Sequence, residues 1–244
     1  MRVFNFKNIM SAIISMLAWA GFSNDLFSQN SSLNDWANFQ KYAAENSALP
    51  RLTPGEHRVV FMGNSITEFW KSTDSAFFAG RQYIDRGISG QTTPQMLLRF
   101  RKDVIEIKPS VVVILAGIND IAENTGPIEL EDVFGNIISM IELAEANDIE
   151  VVLCAVLPAS DFYWNPGLKP ADKVIALNEM LREYSWANGI VYADYYSPMV
   201  NEVKGLKSEY SDDEVHPNLA GYRVMEPIVE SAIKEALKRR ALSK

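Results

Sequence analysis

Only two histidines and one cysteine occur in the 244 residues of this chain. A lone thiol cannot close an intrachain disulfide, nor can it complete a Cys₄ or Cys₂His₂ zinc site. Any imidazole chemistry must fall to His57 or His216. Positive charge is also short: 23 Lys and Arg face 31 Asp and Glu, a net charge of −8. An acidic surface repels a phosphate backbone, which argues against a nucleic-acid partner. A phosphate-cradling loop is missing too, since the stretch 63–68 (GNSITE) lacks the second and third glycines a dinucleotide fingerprint needs. Hence no metal and no cofactor are expected. With 48% apolar and 22% charged residues, the composition is that of a globular protein rather than a disordered or collagen-like one. Cys154 lies in the apolar run VVLCAVL and reads as a buried hydrophobe, not a reactive thiol.

The N-terminal apolar run is short. Residues 9–22 carry no charge and follow Arg2 and Lys7. Fourteen residues suit the core of a secretory signal better than a membrane crossing. Ala18-Trp19-Ala20 and Leu26-Phe27-Ser28 are alternative cleavage signals, and the absence of a nearby cysteine excludes a lipid-anchored form. The expectation is a signal peptide over 1–28 and one domain over 29–244. The mature chain is then periplasmic or extracellular, with no stable membrane span once the signal is gone.

Beyond that point strand-like and helix-like segments alternate. Leu33, Trp36, Ala37, Gln40 and Ala43 fall at helical spacing, with Asn34 or Asp35 as cap, and predict a short N-terminal helix. Strands are predicted at 58–62 (RVVFM), 83–86, 111–116 (VVVILA), 151–156 and 190–193. The β-branched apolar runs among them suit a sheet covered on both faces. Helices are predicted at 94–102, from Pro127 to about 147, over 171–188 with Gly189 as its stop, and from about 219 to 240. This alternation implies an α/β fold, a parallel sheet between two layers of helices in a single domain.

In open α/β sheets ligands sit beyond the carboxyl ends of the strands. The first strand is followed by Gly63-Asn64-Ser65-Ile66, the second by Gly87-Ile88-Ser89-Gly90, and the third by Gly117-Ile118-Asn119-Asp120. The fifth leads through a longer loop to Asp213-Glu214-Val215-His216-Pro217. A serine, a glycine, an asparagine and an Asp-x-x-His therefore reach one edge of the sheet. Those are the parts acyl transfer needs: a nucleophile, a base with its orienting carboxylate, and donors for an oxyanion. Each part also has a plainer reading. Ser65 with Glu68 matches a capping box, Gly90 fits a turn with positive φ, Asn119-Asp120 fits loop punctuation, and Asp213 belongs to an acidic run. Ser89 is a rival nucleophile in Gly-x-Ser-Gly, but it follows a weaker strand. His57 precedes the first strand, at the opposite end of the sheet from Ser65, and reads as structural or surface.

At these four blocks the sequence resembles the SGNH hydrolase superfamily, the GDSL esterases and lipases. The stretch 86–93 (RGISGQTT) resembles bacterial members related to platelet-activating-factor acetylhydrolases and carbohydrate acetylesterases. The resemblance implies a flavodoxin-like five-stranded parallel sheet in order 2-1-3-4-5. It also implies Ser65 as nucleophile, His216 as general base and then acid, and Asp213 as the group that orients the imidazole. The implied oxyanion donors are the backbone N–H groups of Ser65 and Gly90 and the side-chain amide of Asn119. One departure stands out: the family's usual Gly-Asp-Ser is Gly-Asn64-Ser here, which removes a charge beside the serine. Export and this resemblance point to an esterase for small acyl groups, acetyl above all, on carbohydrates. A lysophospholipase or short-chain thioesterase is the second enzyme reading, and a non-catalytic glycan-binding module is the reading from another class. Phe162, Tyr163 and Trp164 form a surface on which a sugar ring could stack, or else rings that pack their loop against the body.

Overall fold

The computed structural model describes residues 35–242. The signal-peptide expectation, and with it Leu33 and Asn34, lies outside the described residues. Five strands form one parallel sheet: β1 Val59–Gly63, β2 Tyr83–Gly87, β3 Val111–Leu115, β4 Glu150–Cys154 and β5 Val191–Ala193. Their order is β2-β1-β3-β4-β5. Every residue of β1 and β3 is buried. Continuous Val, Ile and Phe runs belong in strands covered on both faces. Gly63 of β1 is in register with Gly87 of β2 and Leu115 of β3, so the three following loops leave the sheet at one level.

Among the described residues there are nine α-helices, α1 Ala43–Ala48, α2 Ser65–Thr73, α3 Ser75–Phe78, α4 Thr93–Phe100, α5 Ile118–Ile121, α6 Leu130–Glu145, α7 Ala171–Asn188, α8 Tyr196–Met199 and α9 Leu219–Leu242, with a π-helical turn at Arg101–Ile105 and a 3-10 turn at Ser208–Tyr210. α2 and α9 cover one face of the sheet and meet where Trp70 stacks on Tyr222, with ring centroids 5.2 Å apart. α4, α6 and α7 cover the other. Beneath α2, Phe61 meets Trp70 edge-on at 5.8 Å, and the Tyr222 hydroxyl donates to the Ile66 carbonyl at 2.8 Å. Buried aromatic pairs of this kind add about 0.5–1.5 kcal/mol beyond their buried area. They fix the helix whose first turn carries Ser65. Among the described residues no helix is long and apolar enough to cross a membrane.

Two of the predicted helices begin later than expected, and the short helices α3, α5 and α8 are additional to those predicted. The N-terminal helix is shorter and later. Asn38 takes φ +57°, which breaks the helical path, so residues 35–42 form turns and α1 begins at Ala43. Asp35 caps no helix: it accepts the Phe39 N–H at 2.6 Å within these turns, and α1 has Tyr42 at its N-cap position with no side-chain cap. Ala37 and Tyr42 are buried, whereas Trp36 and Gln40 are exposed. The helix expected from Pro127 begins at Leu130, because the chain turns at Gly126 (φ +99°) and Glu129 is still extended. Glu131 and Asp132 then occupy its first turn, where the helix dipole favours negative charge.

β2 ends in a tight approach to α2. A Cβ on Gly87 would lie 2.2 Å from the Glu68 N and 2.7 Å from the Asn64 O, so only glycine lets the two come together. Asp85, just before it, accepts the Gly87 N–H at 2.7 Å. Burial pushes its carboxyl up to about 7, against the pull of that hydrogen bond. The folded state thus holds this proton more tightly than the unfolded chain does. Its contribution to stability is complete below the ordinary carboxylate range and disappears as pH rises through about 7. Asp85→Asn keeps the acceptor and has no proton to lose. Between pH 5 and 8 the unmodified chain should lose on the order of 2 kcal/mol of stability relative to this variant. Paired urea melts at the two pH values measure this, and parallel changes in both proteins would contradict it.

Candidate active site

Ser65 is the first residue of α2, directly after β1. Asn64 caps the helix: its Oδ1 accepts the Ile66 N–H at 3.0 Å, and its carbonyl accepts Thr67 at 3.1 Å and Glu68 at 2.9 Å. First-turn N–H groups have no partner inside a helix, and among the described residues the Ser65 N–H of α2 is left open. The capping-box alternative for Ser65 and Glu68 is not what forms. Asn64 is the cap, and Glu68 turns away to the Ser89 N–H and hydroxyl, each at 2.6 Å. Ser89, the rival nucleophile, therefore has its hydroxyl on a carboxylate rather than on an imidazole. Burial works against the Glu68 charge, yet the bonds from Lys41 and Ser89 outweigh it and hold the carboxyl below its usual range.

Ser65 Oγ lies 2.9 Å from His216 Nε2. His216 Nδ1–H donates to Asp213 Oδ2 at 2.7 Å, which leaves Nε2 as the acceptor facing the serine hydroxyl. The loop doubles back through Glu214 at φ +66°. Asp213 Oδ1 fastens that turn by accepting the backbone N–H of His216 at 2.7 Å and of Val215 at 3.0 Å. Burial alone would raise the Asp213 carboxyl, but these donors and the imidazole hold it below the ordinary range. It remains a carboxylate, able to stabilise an imidazolium next to it. Phe69, one turn along α2 from Ser65, tilts against the His216 ring at 5.4 Å between centroids.

Gly90 and Asn119 come to the same place from β2 and β3. Gly90 has φ +77°, the left-handed region where glycine carries no steric cost, and among the described residues its N–H takes no hydrogen-bond partner. Asn119 sits in α5 and is 4% exposed. One hydrogen of its amide goes to the Gln91 carbonyl at 3.0 Å, which leaves the second free. Asp120 bonds across to another loop as well as to its own backbone. It accepts from Thr93 N–H at 2.9 Å and from Thr93 Oγ at 2.6 Å, tying the β3 loop to the start of α4. Its burial raises the carboxyl to about 6.

Ser65, Gly90, Asn119 and His216 line one cleft of about 880 Å³. The aromatic loop after β4 divides its rings. Phe162 is fully buried, while Tyr163 and Trp164 stay exposed on the cleft wall, edge to face at 4.8 Å. Trp164 Nε1–H donates to Asn124 Oδ1 at 3.0 Å. His57 is remote from this cleft, bonding Ser110 Oγ at 3.0 Å at the amino end of the sheet. Asn64 is wholly buried, and its Nδ2 has no partner among the described residues. Among the described residues no group of three or more His, Cys, Asp and Glu is placed to hold a metal. Sequence reasoning missed Gln91 and Arg99 and did not foresee the cross-loop bonds of Glu68 and Asp120; all four are polar groups that join the loops around the cleft. A hydroxyl, an imidazole and a carboxylate in line, beside open N–H donors, can pass a proton from oxygen to nitrogen while a negative oxygen is held alongside.

Known proteins resemble this chain in sequence and fold. A Bacteroides fragilis protein described as an acylhydrolase is 52% identical, with a TM-score of 0.81, over 83% of this chain and 99% of that one. A GDSL-like lipase from Bacteroides thetaiotaomicron is 50% identical, also with a TM-score of 0.81, over 83% of this chain and 100% of its own. An acetylxylan esterase from Geobacillus stearothermophilus, 17% identical with a TM-score of 0.61 over 75% of this chain and 96% of its own, shares the fold. No curated protein matches the chain. Residues 61–224 match the GDSL-like lipase/acylhydrolase family, a span that contains all four blocks at the sheet edge, so the chain belongs to that family and is a carboxylic ester hydrolase.

Proposed function

We propose that the chain is an exported serine esterase that releases small acyl groups, chiefly acetyl, from carbohydrates through an acyl-enzyme. The observation that carries this reading is the continuous hydrogen-bond line from Ser65 Oγ to His216 to Asp213. His216 Nε2 takes the hydroxyl proton as Ser65 Oγ attacks the ester carbonyl. The negative oxygen of the tetrahedral intermediate is received by the N–H groups of Ser65 and Gly90 and by the Asn119 amide. The imidazolium, stabilised by Asp213, protonates the departing alcohol. A water then repeats the sequence on the acyl-enzyme and frees the acid.

Tyr163 and Trp164 support a sugar alcohol as the leaving group. Both remain exposed on the wall of the cleft, although Trp164 also leans on the buried Phe162 ring at 4.9 Å between centroids. Export rests on the 1–28 signal, and the N-terminal mass of the secreted chain reports whether cleavage follows Ala20 or Ser28.

A serine-directed phosphonate followed by peptide mapping, run beside acetate release from a panel of acetylated glycans, tests the whole reading. The expected result is one adduct at Ser65 and acetate release that stops when the adduct forms. An adduct at Ser89 would overturn the nucleophile assignment. Faster turnover of a lysophospholipid or a short-chain thioester than of any glycan ester would overturn the substrate class. No turnover of any ester would leave the glycan-binding module.

A further inference from the structure

The loop that carries Gly90 is held from more sides than a short turn requires. Before it, the Ser89 N–H and hydroxyl are bound by Glu68, which is itself paired with Lys41. After it, the Gln91 N–H closes the turn on the Ile88 carbonyl at 3.2 Å. The Gly90 carbonyl accepts from Asn124 Nδ2 at 3.3 Å. Both peptide neighbours of the open Gly90 N–H are therefore fixed.

Gln91 is the centre of this arrangement. Its side chain is buried, with Oε1 accepting from Arg99 Nε at 2.5 Å and Nε2 donating to the Ala37 carbonyl at 2.8 Å. Its main-chain carbonyl is the acceptor that aims the Asn119 amide. Arg99, fully buried, also donates to the carbonyl of Gly63 at 3.0 Å, the last residue of β1, and pairs with Asp103 at 3.0 Å. The Arg99 and Gln91 side chains together join the strand that presents Ser65, the loop that presents Gly90, and the N-terminal segment. That segment precedes residue 61, where the match to the family begins. It nevertheless sets Ala37 on Gln91, the Tyr42 hydroxyl on the Gly87 carbonyl, and Lys41 on Glu68.

We propose that Gln91, latched by Arg99 and by the N-terminal segment, is the positioning residue of the oxyanion site, fixing where the Gly90 N–H and the Asn119 amide point. This rests on the assignment of Gly90 and Asn119 as oxyanion donors. Donors aimed in advance need no reorganisation when charge appears, and a displacement well under an ångström weakens them only in the transition state. The effect of loosening the latch belongs in kcat, not in KM.

The test compares Gln91→Ala and Tyr42→Phe with the unmodified chain on p-nitrophenyl acetate. Competent sites are counted by complete phosphonate titration. Affinity is also measured for a trifluoromethyl ketone, whose serine adduct carries the oxyanion. Gln91→Ala should lower kcat per titrated site about tenfold with KM nearly unchanged, and weaken the ketone in proportion. Tyr42→Phe, which removes one of the bonds that hold the segment and leaves the Arg99 pocket filled, should show the same pattern at about threefold. A merely structural role would reduce the number of titratable sites or the melting temperature while kcat per site stayed constant, and that outcome overturns the proposal. Should Gln91→Ala fail to fold, Tyr42→Phe decides by the same criteria. Ser65→Ala is the control: if it hydrolyses the ester as fast as the unmodified chain, the site assignment fails, and not the latch alone.

Discussion

His216→Ala lowers kcat for p-nitrophenyl acetate about 10⁶-fold, Ser65→Ala lowers it by a similar factor, and the double variant loses no more than either single one. The equality follows from the geometry. A serine hydroxyl is a weak nucleophile unless its proton has somewhere to go, and the acceptor placed to take it is Nε2 at 2.9 Å. Without His216 the hydroxyl remains, but it cannot be deprotonated as it attacks. Without Ser65 the imidazole remains, with no oxygen to activate. Each loss therefore disables the same step, and the second substitution has nothing further to remove. Asp213→Asn should cost less, about 10⁴-fold, since it removes neither proton acceptor nor nucleophile. It costs that much because an amide can present its own N–H to Nδ1, which places the imidazole proton on the nitrogen facing Ser65. Asp213 Oδ1 also fastens the Val215 and His216 amides, so the melting temperature has to be recorded beside the rates. Multiplicative losses in the double variant would show that Ser65 and His216 act in separate steps, and the line of three residues would lose its meaning.

Much of this arrangement was legible in the sequence because local signals sufficed. The run VVVILA names a strand covered on both faces, Gly189 ends its helix at φ +69° as a left-handed stop, and Asp213 reaches His216 within one loop. In an open parallel sheet, residues that follow strand ends gather at one edge, which is how Ser65, Gly90 and Asn119 could be grouped before any coordinates. What stayed hidden depends on partners distant in the chain. Glu68 pairs with Ser89 21 residues on, and the Gln91 side chain reaches back 54 residues to Ala37. No local pattern tells a polar residue that packs inside such a network from one that faces water. Arg99 looks like an ordinary solvated position of a helix, yet it is fully buried because three acceptors surround it. The N-terminal helix was misplaced for the opposite reason: the apolar spacing was helical, but one asparagine in the left-handed region turned the chain.

Asn119→Ala should lower kcat by about 10²–10³-fold while KM for a small ester stays nearly constant. The asymmetry is the informative part. In the ground state a carbonyl oxygen carries little charge, and an ester gains little from one more amide. In the tetrahedral intermediate that oxygen is negative, and a hydrogen bond to a charged acceptor is roughly twice as strong as a neutral one. An interaction gained mainly on the way to the transition state appears in kcat. Asn119 is well suited to the task because one of its amide hydrogens is already spent on Gln91, which leaves the group aimed without cost at the moment of reaction. Asn119→Asp keeps the volume but places an acceptor, charged when ionised, where a donor is needed, and it should fall further than the alanine variant. The Gly90 contribution cannot be deleted in the same way, since its donor is the backbone. Space around a Cβ there is open, so Gly90→Ala reports the strain of φ +77° on a residue with a side chain rather than loss of the donor. Steady-state kinetics on p-nitrophenyl acetate separate these cases. If Asn119→Ala kept kcat within threefold, or changed KM alone, the amide would be a contact to bound ester and the oxyanion would be held by the Ser65 and Gly90 N–H groups without it.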